Sequence, residues 1–310
     1  MTVSAMIHAK IIGIGACVMD TLVTVPEYPT EDTKMRASAV KYAGGGPTAT
    51  GIVAAAKLGI PTAFAGLLSD DSGGIFLLDD FIRYNVSTKL IRREKGYRSF
   101  TSTVLLSEKT ATRTCVFDKG NLPRLELSQE QENAIRTAEL LMIDGNEMDA
   151  AEAACRIAKE SGTKVLYDCG GLYDGVERLL KLTDLMIPSE EFAEKHTGKA
   201  TLREAALELY NRYAPSLVVI TCGKEGGIGF DGKEFWNYPA FPVKAIDSNG
   251  AGDVFHGAFA AGLSKGYSYQ NCCLYASAVA ALKCTGFGAR ASIPDHETTI
   301  HFLKEKGYEL

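Results

Sequence analysis

From Lys10 onward, short apolar runs alternate with amphipathic ones. "KIIGIGACVMD" (Lys10 to Asp20) opens β-branched and apolar, which predicts a buried strand ending at Asp20. Thr21 to Tyr42 mixes Val, Thr, Pro and charges without helical period and reads as extended, partly exposed chain. "PTATGIVAAAKLG" predicts a helix closed by Gly59, "PTAFAGLL" a strand, and "DDSGGIFLLDDFIRYN" a helix ending near Asn85. Tyr97 to Phe117 alternates Thr, Ser and Val as two hairpin strands would.

From Gln129 strand and helix alternate. "AELLMIDG", "TKVLYD", "DLMIPS" and "SLVVITCG" read as strands, and "MDAAEAACRIAKESG" and "LREAALELYNRYA" as helices. "GGIGFDGKEFWNY" predicts a hairpin, and three helices close the chain near 254–265, 269–283 and 296–306. Short apolar strands separated by helices predict an α/β fold with a largely parallel central sheet covered on both faces. The β-rich stretches 21–42 and 97–118 break that rhythm and are expected to form a small separate sheet beside it. No long linker or internal repeat divides the chain, so 1–310 is read as one domain with a small β lid.

Composition narrows the function classes. A net charge of −5, from 33 basic and 38 acidic residues, gives no support for wholesale nucleic-acid or anionic-membrane binding. No apolar run reaches the ~18 residues of a membrane span. The N-terminus lacks the basic and long apolar segments of a signal peptide. The eight cysteines are scattered without a C-x-x-C pair, and the five histidines show no H-E-x-x-H spacing, so buried thiols in a reducing cytosol are expected. "GIGACV" lacks the third glycine of a dinucleotide fingerprint, and no G-x-x-x-x-G-K-[ST] occurs.

Chemistry concentrates in "DSNGAGDVFHGAF" (Asp247 to Phe259). Val254, Phe255, Ala258 and Phe259 follow helical spacing, with Phe255 and Phe259 read as core, so Gly250-Ala251-Gly252 sits where a loop becomes a helix. Unpaired amides there favour an anion, and small residues let a phosphate approach the backbone. Asp253 has two readings, a helix cap or an acid placed beside a transferring phosphoryl group to take a hydroxyl proton.

"DSNGAGDVFHGAF" resembles the C-terminal D-T-x-G-A-G-D signature of the ribokinase-like, or PfkB-type, carbohydrate kinases. "GGGPTATGIVAAAKLG" (Gly44 to Gly59) is similar to their N-terminal Gly-rich motif, and "LVVITCGKEGGIGF" to their nucleotide-side strand and turn. Within that family the chain resembles the branch containing sulfofructose kinase, through "GGGPTAT", "GAGDVFHGA" and "AALKCT". "RTCVFDKGNLP" is similar to ketohexokinase.

The resemblance implies ATP-dependent phosphorylation of a sugar hydroxyl, with magnesium on the nucleotide and a ketose such as fructose or a 6-substituted fructose as acceptor. It implies Asp253 as base and Gly250, Ala251 and Gly252 as anion hole. Asp20, Gly45, Gly46, Thr50 and Asn146 would face the sugar, and Ser189, Thr221, Gly223, Lys224, Gly226 and Ser277 the nucleotide. Asp247 and Ser292 fall where the family often holds a monovalent cation such as K⁺, and Arg290 is left between substrate, phosphate and solvent. Thr50 stands where ribokinases carry Asn. Ser189 and Phe192 replace the Asn and Glu of an N-x-x-E motif, which leaves Glu190 or Glu191 for magnesium. A nucleoside kinase of the same fold and a non-catalytic sugar- or nucleotide-binding regulator are the alternatives. A homodimer through the small sheet is the default assembly.

Overall fold

The computed structural model describes residues 8–110 and 112–310. The first seven residues, part of the stretch read for a leader, and Ala111, within the predicted accessory segment 97–118, lie outside the described residues.

β1 (Ile11–Ile14) is wholly buried, and a break at 15–17 separates it from β2 (Val18–Val25). The single strand expected over Lys10 to Asp20 is therefore two, and Asp20 lies inside β2 rather than at the end of β1. Their burial explains the break. β1 is enclosed on both faces, whereas β2 alternates mainly buried and half-buried residues, as a strand covered on one face does. β3 (Ala39–Gly45) leads into α1 (Pro47–Lys57), whose Pro47 suits a first helical turn. β4 (Thr62–Phe64), β5 (Gly66–Ser69) and α2 (Ser72–Arg83) follow; Asp71 caps α2 through Gly74 N. The single strand expected in "PTAFAGLL" splits, because β5 pairs with β6 (Ile91–Glu94) in a two-stranded sheet of its own.

β7 (Thr101–Ser107) and β8 (Arg113–Asp118) are the expected hairpin. The alternating half then runs α3 (Gln129–Thr137), β9 (Leu140–Ile143), α4 (Met148–Ser161), β10 (Lys164–Cys169), α5 (Val176–Leu180) and β11 (Leu185–Pro188). It continues through α6 (Glu190–Thr197), α7 (Leu202–Tyr213), β12 (Leu217–Thr221), β13 (Gly227–Phe230) and β14 (Phe235–Tyr238). α8 (Ala251–Ser264), α9 (Tyr269–Lys283) and α10 (His296–Glu305) close the chain.

The main sheet has eight strands in the order β14-β13-β12-β11-β10-β9-β1-β4. It is parallel from β12 to β4, with an antiparallel hairpin at one edge. Alternate strand residues sort into two cores. Ile11, Met142, Leu166, Ile187 and Val219 pack with α1, α8 and α9, while Ile12, Ile143, Tyr167, Met186 and Ile220 pack with α4 to α7. This is the α/β architecture the strand–helix rhythm predicts.

The accessory sheet has the order β3-β2-β7-β8. Directly paired residues share a face. Asp20 pairs with Ser102, Leu22 with Lys41 and Val104, and Leu106 with Arg113. One face thus carries Asp20, Leu22, Lys41, Ser102, Val104 and Arg113. The other carries Val40, Tyr42 and Val116, which are 54%, 62% and 67% exposed.

Candidate active site

α1 and α8 cross where glycine meets glycine. A methyl group at Gly257 would collide with the carbonyl of Gly51, so only this pair lets the helices approach so closely and brings their N-termini together. At the head of α8, Gly250 is the cap residue with φ 75°, in the left-handed region that suits glycine. The amide of Ala251 is held by Ser248 O at 3.2 Å and that of Val254 by Gly250 O at 2.9 Å. Those of Gly252 and Asp253 meet no carbonyl among the described residues, and the space over Gly252 is open. Two free amides at the positive end of a helix favour an anion.

Gly250 fills the cap position of α8, and Asp253 stands two residues further on than Ala251, within the first turn. Its carboxyl stays partly accessible in a recess crowded with acids. Desolvation raises its pKa, and Asp144 adds to the rise, while His256, Arg113 and Lys283 oppose it. Beneath it lies a buried pair absent from the sequence reading. His256 Nδ1 is 2.7 Å from Gly252 O and 3.2 Å from Asp168 Oδ2, and its Nε2 is 2.9 Å from Ile187 O. Both ring nitrogens face oxygen atoms, so the imidazole ties the first turn of α8 to the end of β11 and to Asp168. Burial holds the Asp168 carboxyl well above the ordinary range even so.

Asp144, immediately after β9, organises the N-terminus of α1 and the loop after β1. Its Oδ2 accepts from Ala16 N at 2.9 Å and Thr48 N at 3.0 Å, and its Oδ1 from Asn146 N at 2.9 Å and Asn146 Nδ2 at 3.2 Å. It thereby caps α1, whose own cap residue Gly46 offers no side chain, and orients Asn146. Asp20 is buried in the same region and accepts from Ser102 Oγ at 2.6 Å. Desolvation raises the Asp20 pKa, the Ser102 bond and Arg290 oppose this, and Asp253 adds to it. A side chain at Gly45 would strike that carboxylate.

Arg290 is 2% exposed, not at the surface. It donates to Asp80 Oδ2 at 2.7 Å and to Gly45 O at 2.6 Å, and its Nε lies 3.4 Å from Thr50 Oγ1. Thr50 is itself fully buried, so the expected direct sugar contact becomes a support contact made through the guanidinium.

Among the residues expected to face a nucleotide, Thr221 ends β12 and bridges to Ser189, and the turn Gly223–Glu225 exposes Gly223 and Lys224. Gly226 is buried with φ 82° against Tyr238. Ser189 caps α6 through Phe192 N at 3.2 Å, the local reason a serine stands there. Ser277 is buried and donates to Pro239 O at 2.5 Å, in the loop after β14. Glu190 is exposed beside the β12 turn, and its charge raises the pKa of Cys222, though less than burial does.

Asp247 accepts from Asn249 N at 2.8 Å and Gly288 N at 2.9 Å, and Ser292 Oγ donates to Lys283 O at 2.8 Å. The carbonyls of Asp247 and Asn249 already receive the Lys283 ammonium, the former at 2.9 Å. Burial lowers the Lys283 pKa and the Asp247 charge opposes this. These groups do not fit a free monovalent cation, because a lysine holds the place the sequence reading assigned to one.

A cavity of 480 Å³ lies between the accessory sheet and the loop before α8, lined by Thr24, Leu106, Arg113, Asp247, Ser248 and Phe287 among others. The Lys41 ammonium sits 4.7 Å from the Phe287 ring centroid.

A helix entrance with free amides, a raised carboxyl beside it and buried acids nearby are groups that an alcohol phosphotransferase can use. A family model described as pfkB family carbohydrate kinase matches residues 8–296, and the chain belongs to that family. It is 27% identical over 298 residues to the ribokinase of Haemophilus influenzae, covering 94% of this chain and 97% of that protein. It is 29% identical to the 5-dehydro-2-deoxygluconokinase of Clostridium beijerinckii, covering 87% and 86%. Against the ATP-dependent 6-phosphofructokinase of Thermoanaerobacterium thermosaccharolyticum it is 28% identical, covering 83% and 84%. The fold superposes on Arabidopsis thaliana ribokinase complexed with ribose and ATP (TM-score 0.85, 23% identity, 96% and 99% covered). It also superposes on Xylella fastidiosa fructokinase with bound ATP (TM-score 0.82, 22% identity, 96% and 99% covered).

Use of magnesium with ATP goes with that family. Among the described residues no three His, Cys, Asp or Glu side chains gather as a metal cluster. Magnesium in kinases needs only one or two carboxylates plus nucleotide phosphates, and exposed Glu190 fits that role. When bound, the metal would offset phosphate charge. No helix among the described residues is long and apolar enough to cross a membrane.

Proposed function

We propose that the chain phosphorylates a hydroxyl of a ketose, fructose or a 6-substituted fructose, with Asp253 as general base. The sugar lies between Asp20, Asn146 and Gly45 on one side and Asp253 on the other. Its hydroxyl gives a proton to the Asp253 carboxylate while its oxygen bonds to the terminal phosphorus of ATP, and the bond from that phosphorus to the bridging oxygen breaks, so that ADP leaves with the electron pair. The free amides of Gly252 and Asp253, rather than the Ala251 amide that Ser248 O already holds, receive the growing charge on the migrating group. The observation that carries this reading is the Asp253 carboxyl in the first turn of α8, beside the free amides of Gly252 and Asp253.

Ribokinase, 5-dehydro-2-deoxygluconokinase and 6-phosphofructokinase relatives are comparably distant, so identity does not select the sugar. Lys41 and Arg113 share the face that carries Asp20, and two cations there favour an acceptor with an anionic substituent. The strip of Val40, Tyr42 and Val116 on the opposite face supports a homodimer through the accessory sheet.

The test is a panel of ketoses, aldoses, sugar phosphates and nucleosides, scored for ATP consumption and phosphorylated product. A 6-substituted fructose should turn over fastest, and Asp253→Asn should lower turnover about 10²–10⁴-fold with ATP binding kept. A nucleoside as the sole acceptor, or near-normal rates in that variant, defeats the proposal.

A further inference from the structure

We propose that the Lys283 ammonium is a tethered cation that holds the loop before α8, so that phosphoryl transfer needs no diffusible monovalent cation. The inference rests on the kinase reading above. The loop 247–250 delivers the Gly250-Ala251-Gly252 segment, and two of its carbonyls, those of Asp247 and Asn249, converge on Lys283 Nζ. Converging carbonyl dipoles repel one another unless a positive charge stands between them, which is how carbonyl rings hold a bare cation. Here the charge is covalently supplied. Lys283 is 0% exposed and is the last residue of α9.

The surroundings fix both ends of the tether. Cys284 O accepts from Ile246 N at 2.7 Å and Asp247 N at 3.2 Å, so the end of α9 also grips the near side of the loop. The carboxylate of Asp247 is turned to the amides of Asn249 and Gly288, and its charge favours the ammonium. Ser292 Oγ points its proton at Lys283 O or Gly288 O. Asp253 and Cys284 also act on the ammonium, and Arg113 from the accessory sheet adds a like charge. A second bare cation would face two positive neighbours and find its carbonyl ligands taken. Lys283 is thus a positioning residue that touches the loop and not the reacting atoms.

The experiment compares the wild-type enzyme in K⁺, Na⁺, NH₄⁺, Cs⁺ and tetramethylammonium salts at matched ionic strength. Turnover should change by less than about twofold across the series, whereas saturable activation by K⁺ of about tenfold or more would overturn the proposal. Lys283→Met keeps most of the volume and removes the charge. It should lose about tenfold or more in kcat in tetramethylammonium and regain much of it in K⁺ or NH₄⁺. A folded variant that keeps full turnover without K⁺, or that no small cation rescues, also overturns it.

Thermal midpoints without substrate give a second readout. The wild-type midpoint should be the same in K⁺ and tetramethylammonium, while that of Lys283→Met should rise in K⁺ specifically. If the variant does not fold, the wild-type series decides alone. Absence of phosphorylated product in every salt would instead count against the kinase reading, which the substrate-free midpoints do not use.

Discussion

Gly252→Ala separates stability from chemistry at one atom. Gly252 sits in the first turn of α8, is exposed, and a Cβ built there meets nothing within 4 Å. Its φ lies outside the left-handed region, so alanine enters without strain. Replacing glycine in such a helical position removes unfolded-state entropy and stabilises by about 0.5–1 kcal/mol. Spread over the unfolding entropy of a chain this long, that is an upward shift of about 1–2 °C in Tm. The same methyl group stands in the open space beside the free amides of Gly252 and Asp253. A phosphoryl oxygen must come within ~2.9 Å of such an amide to be held, and a methyl group there keeps it away. Losing one such donor costs about 10²–10³-fold in turnover. Calorimetry and a coupled assay for ADP release on the same preparation read both quantities. The expected variant is as stable as the wild type or slightly more so and about 10²-fold slower. Full activity would mean that the phosphoryl group does not pass over Gly252, and a large fall in Tm would mean that the space is not open.

Arg290→Met should cost about 3–5 kcal/mol in urea unfolding, because it strands the Asp80 carboxylate in the core. Adding Asp80→Asn should restore most of that loss, and a single-variant cost below about 1 kcal/mol would refute the burial argument. The freed Gly45 carbonyl should also raise the sugar KM. A base must be ionised, so turnover should fall as pH falls through the raised Asp253 pKa, with an acid limb above the ordinary value of about 3.9; a pH–rate profile flat down to that value would contradict this. Stability has the opposite sign. The raised Asp168 and Asp253 carboxyls contribute stability that is full below their unfolded pKa and is lost as pH rises through the folded values. Asp168→Asn should flatten that decline, read by denaturant unfolding across the acid-to-neutral range.

The sequence alone determined whatever depends on neighbours within a turn or a strand. Apolar runs of four to six residues became β9, β10, β11 and β12, the glycine-rich stretch became the head of α8, and the hairpin of β13 and β14 stands where its turn residues placed it. Capping and period-two or helical burial are local, so they can be read from one chain. The tertiary structure decided which acids do what. Asp144 follows β9 like any turn aspartate, and only the pairing of β9 beside β1 sets it against Ala16, 128 residues away. Arg290 resembles a loose surface arginine until the fold lays it on Gly45, 245 positions earlier, and His256 meets Ile187 only through the packing of α8 on the sheet. Such partners are set by strand order and helix crossing, and the desolvation that raises Asp253 exists only after those layers close.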